Sequence, residues 1–433
     1  MCIANHMAVC CRDAEMKYLD RIKQNVARLT PSKHAALIAF QKDTQEPSQL
    51  LFDANRYHWM QEENPHRRET GPQFWIYQKG DKVLGQQVGI PFCLSVRGKP
   101  YRGSWAVDLL LSPQSRLRGI GNVLNSVLQD ENDVTVGIGI SPEALKSFLR
   151  AGWVDLGKLP VFIRPLDARR ILPLLNRHPD FVMVRFMAAL CNIPLRLLDI
   201  GARMMVRFSG VVLEPVPRFD PRVDRVWETA SRSFPVLAKR DYESLRWRFD
   251  LVPEASCYQR YYLCKGSRVC GYIVVRHSSR DAVSVATIVD FLSPPALITP
   301  MMAACIGEMR GSGAAVVYCR AGLPKAGRSL YPLGFCRRPS CTHVIARANE
   351  KSGLRREQIS DPLGWFITTA DSDGDYQEAS DTLAHHSLQG SENVVRVMPP
   401  HSTGSDIEWT TPVFTQEEKG ERENRPAPAL HSK

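Results

Sequence analysis

Five landmarks occur twice along the 433 residues, in the same order. In the first half Trp59 precedes Pro65 by six residues, Lys79-Gly80 comes before Val83-Leu84-Gly85, Val107-Asp108-Leu109 leads to Ser112-Pro113, and a helix closes at Gly152-Trp153. In the second half Trp247 precedes Pro253 by six, Lys265-Gly266 comes before Val269-Cys270-Gly271, Val289-Asp290-Phe291 leads to Ser293-Pro294, and a segment closes at Gly334-Phe335. The Asp-to-Gly spacing is 44 in both halves, and the Trp, Lys-Gly and Asp landmarks are offset by 182 to 188 residues. Self-similarity of this kind fixes architecture before any motif is interpreted. A single hydrophobic core stops growing near ~250–300 residues, so this chain needs at least two domains. Two units of this size suit ordinary domains, and the expectation is a tandem duplication.

Each unit reads as mixed α/β. In the first, residues 74–77 and 82–91 flank Lys79-Gly80-Asp81, whose Gly and Asp suit a hairpin turn. Residues 105–111 are apolar but for Asp108, as a strand buried on both faces would be. Val123, Leu124, Val127 and Leu128 recur at helical spacing, and Val134–Ile140 is a β-branched strand. Ser141 then serves as N-cap, Pro142 takes the first helical position, and Gly152 ends the helix. The second unit repeats the order with strands at 258–263, 269–276, Val283–Leu292 and 314–319 and a helix near 301–310. Between them, residues 171–208 contain Pro173, Pro179 and Pro194 and read as a set of short helices packed on the first unit. The expected domains are 20–170, a helical linker 171–208, 209–370, and a disordered acidic tail 371–433 in which apolar periodicity disappears.

Charge divides the chain in the same place. Residues 371–433 carry twelve acids against five bases, which leaves 51 bases and 33 acids, +18, on residues 1–370. Such a body favours anionic ligands without specifying a reaction. The N-terminal residues lack a basic segment followed by an apolar run, so no signal peptide is expected. The most apolar stretch, 181–208, is interrupted by Arg185, Arg196, Asp199, Arg203 and Arg207 and reads as buried or interfacial, with no transmembrane segment expected. Twelve scattered cysteines without a CxxC pair fit reduced thiols in the cytoplasm. Cys336 and Cys341, and Cys264 and Cys270, have no His at ligand spacing, and no metal is expected.

One segment carries chemistry. Leu111-Ser112-Pro113-Gln114-Ser115-Arg116-Leu117-Arg118-Gly119-Ile120-Gly121 follows the buried strand and opens a helix. Small residues and successive backbone N–H groups at a helix N-terminus make a positive concavity suited to a pyrophosphate. It lacks both the third Gly of a dinucleotide fingerprint and the Gly-Lys-Ser/Thr of a P-loop. Arg116, Gly119 and Gly121, with the strand before them and the Gly152-Trp153 helix end after them, resemble the GNAT superfamily of acyl-CoA-dependent N-acyltransferases, in two folds spanning about residues 20–370. The resemblance implies that the amides of Arg118 to Gly121 (Arg118, Gly119, Ile120, Gly121) hold the pyrophosphate of acetyl-CoA or another acyl-CoA, with Arg116 and Leu117 alongside. It also implies that the strand bearing Leu109 and Leu111 splays from Val134–Ile140 to seat the pantetheine, with an oxyanion held by a backbone N–H. Transfer is then direct to a small-molecule or glycan amine, such as an amino sugar of a surface polysaccharide.

The pattern departs from the superfamily at the general acid. Phe148 stands where many members place Tyr, and the second unit has Leu330 there, with Tyr331 one place on. Asp108 is the nearest carboxylate and the candidate base; the repeated Asp290 allows a purely structural reading. Pro294, Pro295 and Pro300 deprive the second unit of cradle amides, so it is expected not to bind CoA. Arg246-Trp247-Arg248-Phe249 reads as a partly buried helix end, so nucleic acid is not an expected partner. Two readings stand beside acyl-CoA transfer: FemAB-like aminoacyl transfer from charged tRNA, for which the +18 body supplies phosphate contacts, and a non-catalytic binding or scaffold protein. The partner of the acidic tail is not legible.

Overall fold

In both units a hairpin is followed by a third antiparallel strand, a helix, and a strand parallel to the third. A computed structural model describes residues 18–44, 52–116, 118–175, 182–280, 283–322 and 326–375. In the first unit Phe74–Lys79, Lys82–Val96 and Lys99–Leu111 run antiparallel; helix Ile120–Asp130 then leads to Val134–Ile140, paired parallel to the third strand over 103–106 and 134–137. In the second unit Tyr258–Lys265, Arg268–Arg280 and Val283–Leu292 lead through helix Pro295–Gly311 to Val316–Gly322, paired parallel over 285–288 and 316–319. The third strand begins at Lys99 and the second-unit helix at Pro295, each earlier than apolar periodicity alone indicates. Pro294 and Pro295 at the cap and first position start that helix where a missing N–H costs nothing.

Two strands are exchanged. Val161–Pro165, at the end of the first unit, pairs with Val316–Gly322 of the second. His343–Ala348, from the second, pairs with Val134–Ile140 and Val154–Lys158 of the first. Short Val236–Ala238 bridges Lys82–Val96 and Trp365–Thr368, so the sheet is continuous across both units. The boundaries at 170 and 209 are therefore crossed by hydrogen-bonded strands.

Trp59 and Trp247 occupy the junction. Their rings stack at 4.9 Å and 12°, and each indole N–H donates to the other's backbone carbonyl, at 2.9 Å and 2.7 Å. Both are buried, so neither N–H is left without an acceptor in a dry site. Trp59→Ala is expected to cost about 3–5 kcal/mol, the usual range for a buried Trp truncated to Ala, and Trp247→Ala the same; urea unfolding checks both, and a loss below about 1 kcal/mol in either would show that the pair does not hold the units together.

Two local expectations change. Residues 171–208 were expected as short helices on the first unit; instead Val182–Ser209 is one helix that runs through Pro194 and packs on Pro295–Gly311 of the second. Asp199 explains the choice of side: it accepts from Arg164 at 2.8 Å and Arg310 at 2.5 Å, and both arginines lie beside the second unit's strands and helix. The acidic segment does not start as an unfolded tail: Asp371, Ser372, Asp373 and Asp375 are buried, the three aspartates held by buried arginines. The rest of the expected tail, 376–433, lies outside the described residues.

Candidate functional site

The parallel pairing of the first unit stops at Ala106 and Gly137, although both strands continue, to Leu111 and Ile140. Two features drive the strands apart. His343 and Val344 pair with Ile140 and Ile138 on the far side, holding Val134–Ile140 away. On the near side, Gln86 faces Leu110 and Val88 faces Val107, so Gln87 alone opposes both Asp108 and Leu109. This is a β-bulge; it bends the strand and leaves one residue's amide outside the ladder. Asp108 sits in the left-handed region at φ 52°, uncommon outside Gly. Gln87 donates to the Val107 carbonyl at 2.9 Å, and Gln86, itself held by Gln41, donates to the Asp108 carbonyl at 3.1 Å.

The predicted cradle adjoins the mouth of this split. Ser112 N–H donates to Leu84 O at 3.0 Å, and Ser112 and Ser115 hydroxyls meet at 2.8 Å, closing the turn after the strand. Gly119, at φ 73°, caps helix Ile120–Asp130, a conformation glycine adopts without strain. First-turn amides have no acceptor within their own helix, so those of Ile120 and Gly121 are donors available to a ligand. A Cβ on Gly121 would lie 3.4 Å from Leu111 and 3.8 Å from Leu109, so these three expected residues do come together. Arg116 and Arg118 are exposed at the turn. Leu117 lies outside the described residues.

Asp108 is not alone. Arg56, from helix Ala54–Gln61, binds its carboxylate at 2.9 Å and reaches Asp373 with its other terminal nitrogen at 2.5 Å. One guanidinium thus bridges two carboxylates. Burial raises the Asp373 carboxyl above its ordinary value, against the pull of Arg56, and the Asp108 charge raises it further. Asp373 is the residue sequence reasoning missed, because it stands in an acidic run. The signal was the apolar strand Trp365–Thr368 just before it, which carries the chain back into the sheet.

The second unit's equivalent opening is filled. Its parallel strands also part, after Ile288 and Cys319, at a bulge where Val274 faces Asp290 and Val275 faces Ile288. Ile367 and Thr368 pair with Gly322 and Ala321 there, and Ala370 N–H donates to Val289 O at 3.1 Å. Asp290 is held by Arg240 at 3.2 Å, Tyr272 at 2.7 Å and Thr368 at 2.7 Å; Arg240 in turn holds Asp371 at 2.6 Å. Phe148 packs edge-on against buried Trp153 at 5.0 Å, and Tyr331 is exposed in the second unit. A groove of about 540 Å³ between Pro215–Pro217 and Tyr258–Tyr261 shares no residue with the split. Among the described residues no group of three His, Cys, Asp or Glu is placed to hold a metal ion.

No protein-family profile and no curated protein sequence matches the chain. Solved structures do. A GCN5-related N-acetyltransferase from Anabaena variabilis superposes with a TM-score of 0.52 at 13% identity, over 76% of this chain and 74% of that one. The fold is a GNAT fold. Saccharomyces cerevisiae N-myristoyltransferase, solved with bound myristoyl-CoA, gives 0.49 at 11% identity over 79% and 85%, and a GCN5-related N-acetyltransferase from Kribbella flavida 0.47 at 13% over 75% and 70%.

Proposed function

We propose that the chain is an acyl-CoA-dependent N-acyltransferase with one working site, in the first unit. The observation that carries this reading is the split itself: two parallel strands part beside a glycine-rich helix start, while the equivalent opening of the second unit is occupied by the chain's own backbone. The amides of Arg118 to Gly121 take the pyrophosphate, with Arg116 supplying charge at its edge, and the pantetheine lies between the parted strands against Leu109 and Leu111. The bulge amide at Asp108–Leu109 points its dipole at the thioester carbonyl, where the oxyanion develops. The amine attacks, the C–N bond forms and the C–S bond breaks. The amine's proton passes to the carboxylate pair, of which Asp373, its carboxyl raised by burial, is the member that takes it. No tyrosine stands at Phe148 to protonate the leaving thiolate, so solvent does so.

The substrate class is an amine, small or borne on a glycan. Calorimetric titration of acetyl-CoA and longer acyl-CoAs into the full chain, followed by thiol release with a panel of amines, tests the reading. Micromolar binding with no turnover on any amine would leave a binding protein, and no binding at all would remove the proposal. Asp373→Asn is expected to lower kcat by about 10²–10⁴, the usual contribution of a general base, with KM for acyl-CoA little changed and the acid limb of the pH–rate profile lost. An unaltered profile would assign the proton to Asp108 or to water.

A further inference from the structure

The long helix Val182–Ser209 turns an apolar stripe to solvent that nothing in the acyltransferase reading uses. Met183, Phe186, Leu190, Ile193, Leu197 and Met204 recur along it at spacings of three, four and seven and are 43–70% exposed. A soluble monomer rarely shows a contiguous apolar patch beyond a few hundred Å². The orientation is fixed from behind: Ala188 and Ala202 are buried, and Asp199 is clamped by Arg164 and Arg310. Val182, Met187 and Phe208 are exposed as well and widen the stripe past the narrow seam of a two-helix coiled coil. At 1.5 Å per residue the 28-residue helix is about 42 Å long.

Charge selects the occupant. At 100° per residue Arg185, Arg196, Arg203 and Arg207 fall together along one border of the stripe, and all four are exposed. The helix's only acid, Asp199, points inward and is already paired. A second copy laid on this stripe would bring arginine against apolar or arginine positions, without the opposite charges that flank a coiled-coil seam. Anionic headgroups supply the missing charge, and a broad apolar face bordered by arginine is the pattern of a helix lying in a membrane interface. No described helix is long and apolar enough to cross a membrane. We infer that Val182–Ser209 lays the protein flat on an anionic lipid surface, its stripe in the acyl boundary and its arginines among the headgroups.

The test is co-sedimentation of the full chain with large vesicles, either pure phosphatidylcholine or phosphatidylcholine with one third phosphatidylglycerol, at low and high salt. Partition onto the anionic vesicles is expected to be at least tenfold stronger than onto the neutral ones and to weaken with salt. Each Arg→Gln change at 185, 196, 203 or 207 should lower it roughly fivefold, and Phe186→Glu combined with Leu197→Glu at least tenfold. Hydrogen exchange on the wild type gives a reading independent of any variant's folding: vesicles should protect 182–209. Equal binding to neutral vesicles, protection elsewhere, or partition unmoved by these variants would overturn the inference. So would a dimer, seen by light scattering, that Leu197→Glu dissolves, since the second copy would then be the occupant.

Discussion

Replacing Gly119 by Trp should weaken acyl-CoA binding at least 100-fold while the protein stays folded. The indole would stand over the helix start, where the pyrophosphate is proposed to sit on the amides of Arg118 to Gly121. Among the described residues other than its chain neighbours, a β-carbon at Gly119 meets Leu19, at 3.4 Å. The residue's φ of 73° adds a cost of its own, of order 1 kcal/mol. Gly119→Asn separates the two effects, because Asn tolerates the left-handed region and is short. It should keep most of the affinity; Trp should lose it. Calorimetry on the full chain gives both numbers. Retention of affinity by the Trp variant would show that the ligand does not use this cradle, and equal losses in Asn and Trp would trace the effect to backbone strain.

Arg240→Met should be strongly destabilising, at about 3–5 kcal/mol, because removing one partner of a buried ion pair leaves charge without compensation. Arg240 is fully enclosed and serves two buried carboxylates, Asp290 and Asp371. Burial alone would lower its affinity for a proton, but the two aspartates more than offset this and hold it firmly charged. The pH dependence has a defined sign. Burial lifts the Asp371 carboxyl above its ordinary value of 3.8, Arg240 opposes the lift, and Asp290 adds to it. A carboxyl raised on folding favours the folded state below its unfolded value, and that favour is lost as pH rises through the folded value. Without Arg240 the opposition is gone and the lift grows. The deficit of Arg240→Met should therefore shrink as pH falls from 7 toward 4, and Arg240→Met with Asp371→Asn should recover part of it at pH 7. Urea midpoints at three pH values check this; a deficit that does not move with pH would mean that water reaches the cluster.

Part of the architecture was legible in the recurring landmarks. Val107-Asp108-Leu109 and Val289-Asp290-Phe291 do lie on equivalent strands, and Trp59 and Trp247 do meet, as paired landmarks should. The helix start at Gly119 was legible because glycine there has a local conformational meaning, which its φ of 73° bears. What could not be read depends on partners remote in sequence. The exchange of Val161–Pro165 and His343–Ala348 follows from which sheet edge each strand reaches, and nothing in a strand of five or six residues encodes that. Residues 171–208 do not read as one helix because proline ordinarily breaks one; Val182–Ser209 tolerates Pro194 where Asp199 anchors the far side. Asp373 was hidden by composition: an acidic run looks solvated until Arg56, 317 residues away, is seen to meet it. Asp108, expected as the base, lies at the bulge, and Arg56 ties it to that distant partner.

The exchanged strands set the order in which this protein can be made. When the ribosome has released residues 1–170, the strand Val134–Ile140 still has an unpaired edge, because its neighbour His343–Ala348 has not been synthesised. Val161–Pro165 has likewise no sheet to join until Val316–Gly322 emerges. A nascent first unit thus carries a hydrophobic strand edge, a template for misplaced pairing with other chains. At about 5–20 residues per second that exposure lasts on the order of ten seconds or more, and it ends only when Val316–Gly322 and His343–Ala348 have emerged to pair with these edges.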